Sequence, residues 1–375
     1  MAAPLEGVRV LEFGAIGPAP FGAMLLSDLG ADIIRIDRVR PPDGPSQRAL
    51  SRNRRSIAVD LKAPAGREIV RDIVETVDVL VEGFRPGVME RLGLGPEELC
   101  AKNPELIYAR MTGFGQTGDM SRSAGHDINY AALAGALYPI GRAESPPPPP
   151  LNLVADFGGG GAFLAIGVLA ALIERQESGL GQVLDVAMTD GAALLTTYVH
   201  GLVAAGQWRH ERAANRLDGA APYYDTYETS DGKFIAVGAS EPQFFREFLN
   251  GLGLRPEEFP QNEKEQWPTQ KRRIAEVFAS KTRREWEETF EGTDACVTPV
   301  LEWNEVADHP YHRQRESFVD VDDLRLPAPA PRFERTPLEV RRGAPPPGQD
   351  TLEIMAELGY ESTAVQALLD ADVVG

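Results

Sequence analysis

The first 115 residues alternate between apolar runs, which predict β-strands, and stretches with helical periodicity. The apolar runs are VRVLEF (8–13), ADIIRID (31–37), SIAVD (56–60), DVLVEG (78–83) and LIYARMTG (106–113). Between them, PFGAMLLSDLG ends on Gly30, a residue type common at helix C-termini, and GREIVRDIVETV places Ile69, Ile73 and Val74 on one helical stripe. Strands that alternate with helices build parallel sheets, so this region predicts a Rossmann-like α/β domain.

The first strand-to-helix turn lacks a dinucleotide-binding motif. It reads GAIGPAP, without the G-x-G-x-x-G spacing that lets a backbone approach a pyrophosphate. The turn still opens a helix at the carboxyl end of a parallel strand, where ligands collect in such sheets. The sequence therefore argues against a nicotinamide cofactor and predicts a ligand site at this edge.

The later part of the chain predicts a second, smaller domain. The proline run SPPPPP (145–150) favours an extended connector, and GAFLAIGVLAALIERQ predicts a long buried helix. The segments YYDTYET and KFIAVGA predict strands joined by the turn SDG, and DTLEIMAELG predicts a final helix that rejoins the first domain. We predict a large domain at 1–190, completed by 345–375, a linker at 191–221, a small α+β domain at 222–318 and a Pro-rich return linker at 319–344.

Composition and charge narrow the possible partners. The chain has 375 residues, 43% of them hydrophobic and 25% charged, which is an ordinary globular composition and long enough for two domains. Its 56 acidic against 38 basic residues give a net charge of −18, which repels nucleic acid and anionic membrane surfaces. A polyanionic ligand would therefore need a local basic cluster.

Cysteine use and hydropathy predict a protein of a reducing compartment. Cys100 and Cys296 show neither metal-site spacing nor a disulfide framework. The start, MAAPLEGVRVLEF, has no basic region before an apolar one, so we expect no signal peptide. The longest nearly uncharged stretch, 158–173, is shorter than the ~20 residues that cross a bilayer. We expect a cytoplasmic protein without a metal ion and without a membrane segment.

A basic cluster of the required kind is present in the first hundred residues. Surface arginines are often merely solvated, but several of these residues directly follow predicted strands, where α/β sheets present ligands. That position favours Arg38, Lys62 and Arg85. The cluster comprises Arg38, Arg40, Arg52, Arg54, Arg55, Lys62, Arg85 and Arg91.

The candidate chemistry rests on one histidine and one aspartate. His126 stands in AGHDINY, and Asp156 in NLVADFGGGG precedes a predicted helix, so that alone it also fits a helix N-cap. Together, an imidazole and a carboxyl group can remove a proton α to a thioester on one face and return a proton on the other. Glycine N–H groups and the helix start near Asp156 offer donors to the oxyanion that would develop.

With these residues in view, the chain resembles the α-methylacyl-CoA racemases, a branch of the class III CoA-transferase (CaiB-BaiF) superfamily. FRPGVMERLGL is typical of the superfamily, and GHDINY together with NLVADFGGGG is typical of the racemase branch. Further matching segments are LSDLGADIIRID, NRRSIAVDLK, LIYARMTGFGQTGDMSRSAG, GQVLDVAMTDG, APYYDTYET and DACVTPV.

The resemblance implies roles for particular residues. His126 and Asp156 would be the two bases, and Glu241 would orient and charge-balance His126 from the small domain. Asp127, Asn152 and Tyr224 would line the site as catalytic support. The residues expected to bind coenzyme A, with Gly125 to Tyr130 at the pantetheine end, are Ile16, Arg38, Val59, Asp60, Leu61, Lys62, Gly83, Phe84, Arg85, Arg91, Gly125 and Tyr130.

The resemblance also implies an activity and an assembly. The expected reaction interconverts (2R)- and (2S)-2-methylacyl-CoA by 1,1-proton transfer through an enolate, with no cofactor beyond the coenzyme A of the substrate. The expected architecture is a Rossmann-like large domain joined by two linkers to a small α+β domain, in an interlocked homodimer. The acyl chain, whether branched fatty acyl, sterol or arylpropionyl, stays open.

Two other functions compete with this interpretation. A class III CoA-transferase would use Asp156 as a nucleophile and pass coenzyme A through an acyl-enzyme anhydride. Residues 215–245 lack the glycine-rich lid expected of such a transferase, and His126 would have no purpose there. A non-catalytic acyl-CoA-binding module would keep the arginines and leave His126, Asp156 and Glu241 unexplained.

Overall fold

A computed structural model describes residues 3–39 and 48–375. Arg40 of the basic cluster lies outside these ranges. The strands are β1 (Arg9–Phe13), β2 (Asp32–Asp37), β3 (Arg54–Ala58), β4 (Val79–Glu82), β5 (Ile107–Thr112), β6 (Val183–Ala187), β7 (Tyr224–Glu228), β8 (Phe234–Gly238), β9 (Val297–Val300), β10 (Phe318–Val321) and β11 (Leu324–Pro327).

The helices, in chain order, are α1 (Pro18–Asp28), α2 (Pro64–Val74), α3 (Val88–Arg91), α4 (Pro96–Lys102), α5 (Asp127–Leu133), α6 (Ala162–Ser178), α7 (Met188–Leu195), α8 (Thr197–Ala204), α9 (Pro242–Gly251), α10 (Trp267–Phe278), α11 (Arg283–Phe290), α12 (Trp303–Val306), α13 (Pro310–Gln314), α14 (Thr351–Glu357) and α15 (Ser362–Asp370). A π-helical segment, Leu153–Gly161, runs directly into α6.

The first six strands form one parallel sheet in the order β3-β2-β1-β4-β5-β6. This order confirms the predicted α/β, Rossmann-like architecture. The order reverses between β1 and β4, so the loops that follow these two strands diverge and leave a crevice at the carboxyl edge of the sheet.

Apolar burial explains why these segments form strands and helices. The central strands are buried on both faces: Val10, Leu11, Val79 and Leu80 are all fully inaccessible to solvent. The predicted stripe of α2 packs against the sheet, and Ile73 of that stripe is fully buried. Strands covered on both faces read as continuous apolar runs, which is the pattern found in the sequence.

Several arginines of the basic cluster serve the fold. Arg54 is fully buried and paired with the equally buried Glu12 at 2.7 Å, while its guanidinium also donates to the carbonyl oxygen of Pro20. Arg52 is paired with buried Asp28, and Arg55 is paired with exposed carboxylates such as Glu357. Removing one partner of a buried pair leaves an uncompensated charge, so Arg52 and Arg54 are structural residues.

The chain divides into two compact units. The first comprises 1–136, 150–195 and 311–375, and the second comprises 137–149 and 196–310. These boundaries differ from the predicted ones, because residues 137–149 belong to the second unit and residues 311–344 to the first. The predicted return linker contains the hairpin β10–β11, which is held to the first unit by Arg52 donating to the carbonyl oxygen of Pro327 at 2.7 Å.

The second unit is built on the antiparallel sheet β7-β8-β9. The SDG turn between β7 and β8 places Gly232 at φ +72°, the left-handed conformation that favours glycine. Helices α9, α10 and α11 pack an aromatic core against this sheet, with Phe248, Phe278 and Trp286 nearly inaccessible to solvent.

The π-helical segment and α6 form one helical run, Leu153–Ser178, of 26 residues. In the described residues this run is the one helix long and apolar enough to cross a bilayer by length and composition, although 44% of its most apolar window is buried in the protein. The helix extends beyond the nearly uncharged stretch 158–173 at both ends, through Asp156 on one side and through Glu174, Arg175 and Glu177 on the other. Core helices of globular proteins share these properties, and the absence of a membrane segment stays a prediction, as does the cytoplasmic location.

Candidate active site

A cavity of about 240 Å³ opens at the crevice between β1 and β4. The turns after both strands line this cavity, and they come close to each other at one point, where a Cβ on Gly83 would lie 3.2 Å from the Cβ of Ala15. The other walls come from the segment before α5, from the π-helical segment and from the start of α7. The lining residues are Ala15 to Ala19, Gly83 to Pro86, Met111 to Gly113, Ser121, Ser123, Gly125, His126, Tyr130, Asp156 and Met188.

His126 enters this cavity from the N-terminus of α5. It is the N-cap residue, with extended backbone, and its backbone N–H donates to Asn129 Oδ1 at 3.1 Å. Its side chain is exposed. A helix start at this position therefore presents the imidazole to solvent and to any ligand in the cavity.

Asp156 enters the same cavity from the π-helical segment. The N–H of Phe157 donates to the carbonyl oxygen of Asn152 at 3.2 Å, the i to i+5 bond of a π-helix, and π-helical turns are frequent at functional sites. Asp156 therefore lies inside a helical turn and is not the N-cap that its sequence position also allowed. A Cβ on Gly17, in the turn after β1, would lie 3.5 Å from Asp156 Oδ2, so that turn faces the carboxyl group.

The four glycines after Asp156 allow close helix packing. A Cβ on Gly159 would lie 2.5 Å from the backbone nitrogen of Ala192 in α7, and one on Gly161 would lie 2.7 Å from the carbonyl oxygen of Pro18 in α1. A Cβ on Gly191 would likewise overlap the carbonyl oxygen of Gly159. Side chains at these positions would overlap the backbones of α1 and α7, so the close packing of these helices requires glycine here. This structural role is separate from the predicted donation of N–H groups to an oxyanion.

Burial changes the acidity of Asp156. The pKa of this carboxyl group is raised from 3.8 to about 6: desolvation is the largest cause, the charge of Asp127 also raises it, and the charge of His126 lowers it. A carboxyl group with a pKa near 6 can both take up and release a proton close to neutral pH.

Asp127 and Tyr130 connect these two positions. Asp127 Oδ1 accepts the backbone N–H groups of Ala155 at 2.7 Å and of Asp156 at 2.8 Å. The phenol of Tyr130 donates to the carbonyl oxygen of Gly125 at 2.5 Å, immediately before His126. Burial and the charge of Asp156 raise the pKa of Tyr130, which keeps the phenol a donor. Both side chains fix the local backbone at the positions of the two candidate bases.

The structure brings together some of the residues predicted to bind coenzyme A and leaves others apart. Arg38, Lys62 and Arg91 are exposed and follow β2, β3 and β4, but they do not line this cavity. Asp60 Oδ1 accepts the N–H of Lys62 at 3.0 Å, and Leu61 is half-buried beside them. The predicted residues that do line the cavity are Ile16, Gly83, Phe84, Arg85, Gly125 and Tyr130.

Two of the residues predicted to contact the ligand, Val59 and Tyr130, have buried side chains. Val59 is 2% exposed and packs in the core, and its backbone pairs with Val374. Tyr130 is 6% exposed, and its hydroxyl already bonds Gly125. For Val59 only the backbone is left to meet a ligand, whereas Tyr130 lines the cavity although its exposure is small.

The remaining predicted site residues lie as follows. Asn152 is exposed and forms the N-cap of the π-helical segment. Glu241 and Tyr224 belong to the second unit: Glu241 is the exposed N-cap of α9, and Tyr224 begins β7 and lines a cavity of about 790 Å³ within that unit. Burial and the charge of Glu241 raise the pKa of the Cys296 thiol, which places Glu241 near β9.

Met188, Ser121 and Ser123 line the cavity and were missed by the sequence analysis. For Met188 a signal existed, since MTDG follows the run VLDVA at the carboxyl end of what proves to be β6. The two serines lie in a loop without periodicity; the segment DMSRSAG that contains them matches the racemases, but no pattern within it singled them out. In the ranges 3–39 and 48–375, no group of three or more His, Cys, Asp and Glu side chains is placed to hold a metal ion.

The chain as a whole is similar to known proteins. The model of the CoA-transferase family III matches residues 5–351. The chain is similar to the α-methylacyl-CoA racemases of Mus musculus, with 47% identity, and of Homo sapiens, with 46% identity; each match covers 97% of this chain and 96% of the relative. It is also similar to the solved structure of a CaiB/BaiF family protein from Brucella suis, with 26% identity, a TM-score of 0.81 and coverage of 96% of this chain and 100% of that one.

Proposed function

Because this chain belongs to the CoA-transferase family III, we propose that it is an α-methylacyl-CoA racemase. It interconverts (2R)- and (2S)-2-methylacyl-CoA thioesters by moving a proton at the α-carbon. The observation that carries the proposal is that His126 and Asp156 line one cavity, with the pKa of Asp156 raised to about 6. A CoA-transferase would need Asp156 alone.

The two side chains act as acid and base in turn. One removes the α-proton, the thioester becomes an enolate, and the other returns a proton on the opposite face. Neutral imidazole with a protonated Asp156 is ready for one epimer, and imidazolium with a carboxylate is ready for the other. Coenzyme A enters as part of the substrate, and the proposal includes no further cofactor and no metal ion.

Further side chains support this chemistry in the proposal. As the resemblance implies, Glu241 would orient and charge-balance His126, and Asp127, Asn152 and Tyr224 would line the site as catalytic support. Arg85 binds the phosphate-bearing part of coenzyme A from the cavity, while Arg38, Lys62 and Arg91 bind it from the same edge of the sheet. Charge-assisted bonds to phosphate offset the repulsion from the net charge of −18.

The proposed assembly is the interlocked homodimer. The first unit exposes apolar side chains on α6 and α7, including Ile166 at 57%, Ile173 at 66% and Leu194 at 58%. Exposed apolar patches of this kind mark protein interfaces. Sedimentation velocity over a dilution series tests the assembly: Ile173→Glu should shift the protein toward monomer, with the exposed polar change Glu174→Gln as the matched control. An active wild-type monomer at low concentration would overturn it.

Solvent labelling tests the activity. Each pure epimer of a 2-methylacyl-CoA is incubated in D₂O, and chirality and deuterium at the α-carbon are followed together. Both epimers should converge on one mixture, with one solvent deuteron gained per inversion, because the returned proton comes from the base that did not take the first.

The transferase alternative gives a different result in the same assay. It predicts no α-label, transfer of coenzyme A to a free carboxylic acid, and an acyl-Asp156 anhydride that hydroxylamine would cleave. Transfer at a rate comparable to inversion, or inversion without solvent label, would reject the two-base assignment. A purified protein that binds acyl-CoA without either reaction would favour the non-catalytic module.

A further inference from the structure

Asp127 has a contact pattern that the two-base chemistry does not require. It is the first residue of α5, directly after His126, and its side chain is 4% exposed. Its Oδ1 accepts the N–H groups of Ala155 and Asp156 in the first turn of the π-helical segment. The first N–H groups of a helix lack partners within the helix, so this side chain acts as the cap of a segment 28 residues further along the chain.

The second oxygen of Asp127 has no such partner. In the part of the chain that the structure describes, Oδ2 is buried and makes no hydrogen bond. Leaving a buried polar atom unpaired costs free energy, and such exceptions call for a reason. An amide side chain could accept the same two N–H groups without placing a negative charge at this position. The charge is therefore the feature that the capping role leaves unexplained.

The charge of Asp127 affects the ionisation of Asp156. Asp127 lies directly behind Asp156, whose backbone N–H it binds, and its charge opposes ionisation of Asp156. A like charge in a poorly solvated site is screened little by solvent. Burial is the larger cause of the raised pKa of Asp156, and Asp127 is the second.

We propose, on the premise of the racemase function, that Asp127 is a positioning residue: its buried carboxylate caps the turn that aims Asp156 into the cavity and holds a fixed negative charge behind that carboxyl group. The cap sets where the acid lies. The charge favours the protonated acid before substrate arrives. Because Asp127 adjoins His126 in the chain, one residue links the backbones of both candidate bases.

Other titratable groups lie in the cavity with Asp156 or on the elements packed against the π-helical segment. His126 lowers the pKa of Asp156, and Arg85 and Tyr130 share the cavity. The elements packed on the π-helical segment add Asp28 of α1, which is paired with Arg52; Asp185 of β6 and Asp190 of α7, which are exposed; and Glu174, Arg175 and Glu177 at the end of α6. Of these, His126 and Asp127 are the charges that shift the pKa of Asp156.

Asp127→Asn separates the charge from the cap. The amide oxygen still accepts the two N–H groups, while the negative charge is gone. In the exchange assay, the rate for each epimer rises or falls with pH where Asp156 gains or loses its proton. Both of these limbs of the pH–rate profiles should move to lower pH by about one unit. The epimer that needs the carboxylate should react at lower pH than in the wild type, and the epimer that needs the acid should lose its activity at lower pH.

Asp127→Ala removes both features, and Asp190→Asn is the matched control. The alanine variant should show the same pH shift and, in addition, a further 10- to 100-fold loss of kcat with little change in KM, because Asp156 is no longer held in place. Asp190→Asn removes one negative charge from an exposed position of α7, which packs on the same segment, and should leave both limbs in place. A merely structural role would lower stability in Asp127→Ala and leave the pH limbs of Asp127→Asn unmoved.

A measurement without substrate makes the test independent of the proposed function. The unfolding equilibrium of the wild type, Asp127→Asn, Asp156→Asn and the double variant forms a thermodynamic cycle. Repulsion between the two carboxylates should appear at about pH 8 as roughly a tenfold coupling in the equilibrium constant, and vanish at about pH 4, where Asp156 is protonated.

The outcomes separate the two claims. Absence of coupling at about pH 8, or unmoved limbs in Asp127→Asn, would overturn the role of Asp127 even in an active racemase. Coupling in the cycle together with a wild type that exchanges no α-proton would keep the positioning of Asp156 and reject the racemase function. Should Asp127→Ala fail to fold, the near-isosteric asparagine variant still decides the question.

Discussion

The two candidate bases are delivered by opposite kinds of structure. His126 lies at the exposed start of a short helix, held by a local bond from its own backbone to Asn129. Asp156 lies in a π-helical segment whose glycines touch the backbones of α1 and α7, and its N–H is bound by Asp127. The first is positioned by its neighbours in sequence, and the second by parts of the chain far from it.

The packing around Asp156 sets its acidity as well as its position. Burial raises the pKa of Asp156, whereas no comparable burial surrounds the exposed imidazole. A racemase needs two groups that exchange roles near neutral pH, and a carboxyl group requires more adjustment than an imidazole to reach that range. The packing around Asp156 supplies that adjustment.

The largest expected effect comes from removing either base. His126→Ala and Asp156→Ala should each lower inversion by about 10³-fold, because proton transfer on one face is lost. Each variant should retain slow exchange of one epimer only, through the base that remains. Chiral analysis in D₂O measures both quantities, with the exposed His210→Ala as control. Equal residual exchange of both epimers would break the assignment of one base to each face.

The second largest effect should come from adding one methyl group to the glycine run that follows Asp156. Gly159→Ala should lower the free energy of unfolding by about 3 kcal/mol, because the new Cβ meets the backbone of α7 at 2.5 Å, and backbone cannot step aside. Gly167→Ala in α6 is the matched control, since its Cβ would meet Leu184 at an ordinary 3.5 Å. The control should be neutral or slightly stabilising, as alanine favours helix. Denaturant unfolding compares the two, and equal stabilities would refute the packing argument.

A smaller effect should depend on pH. The folded state raises the pKa of Asp156 from 3.8 to about 6, so it favours the protonated carboxyl group. That contribution is fully present below the unfolded pKa and is lost as pH rises through about 6. Asp156→Asn imitates the protonated form, so it should match the wild type at about pH 4 and exceed its stability by about 2 kcal/mol at about pH 8, allowing for partial exposure. Thermal unfolding at both pH values tests this, and the exposed Asp119→Asn should show no such dependence.

The smallest effect concerns binding remote from both bases. Arg85→Ala should raise KM for acyl-CoA about tenfold and change kcat little, because phosphate contacts bind ground and transition states alike. Arg91→Ala should act in the same direction and more weakly, since Arg91 lies outside the cavity. Initial rates over a range of substrate concentrations give both constants. An unchanged KM in both variants would remove these arginines from the coenzyme A site.

Most strands of the first unit could be predicted from the local pattern of apolar residues in the sequence. Five strands of the sheet were predicted within about two residues at each end, since their apolar runs are buried on both faces. The third strand was placed two residues late because Val59, which is as apolar as its neighbours, pairs with Val374 near the other end of the sequence. The sixth strand was not predicted, although its sequence VLDVA is mostly apolar; in this chain four of its five residues are exposed or half-buried.

In the candidate site, too, the features that depend on local sequence could be predicted and those that depend on distant segments could not. His126 could be found from the sequence because the chain has five histidines and this one lies in GHDINY, the segment typical of the racemase branch. The glycines after Asp156 were interpreted only as donors to an oxyanion, because the helices that require them, α1 and α7, lie more than 20 residues away in sequence on either side. The bonds from Asp127 to Ala155 and Asp156 span 28 and 29 residues, a separation that no local motif reports.

The insertion of residues 196–310 between two parts of the first unit has a consequence for synthesis. The edge strand β3 is completed by late segments: the N–H of Ser56 donates to Asp350, and Asn53 accepts the N–H of Arg341. During synthesis on the ribosome, the second unit is complete and can fold before the partners of β3, almost 300 residues downstream, have been made. Contacts of such long range slow the final step. A nascent chain halted before residue 311 should therefore carry a folded second unit beside an open sheet edge, the natural point for a chaperone to hold it.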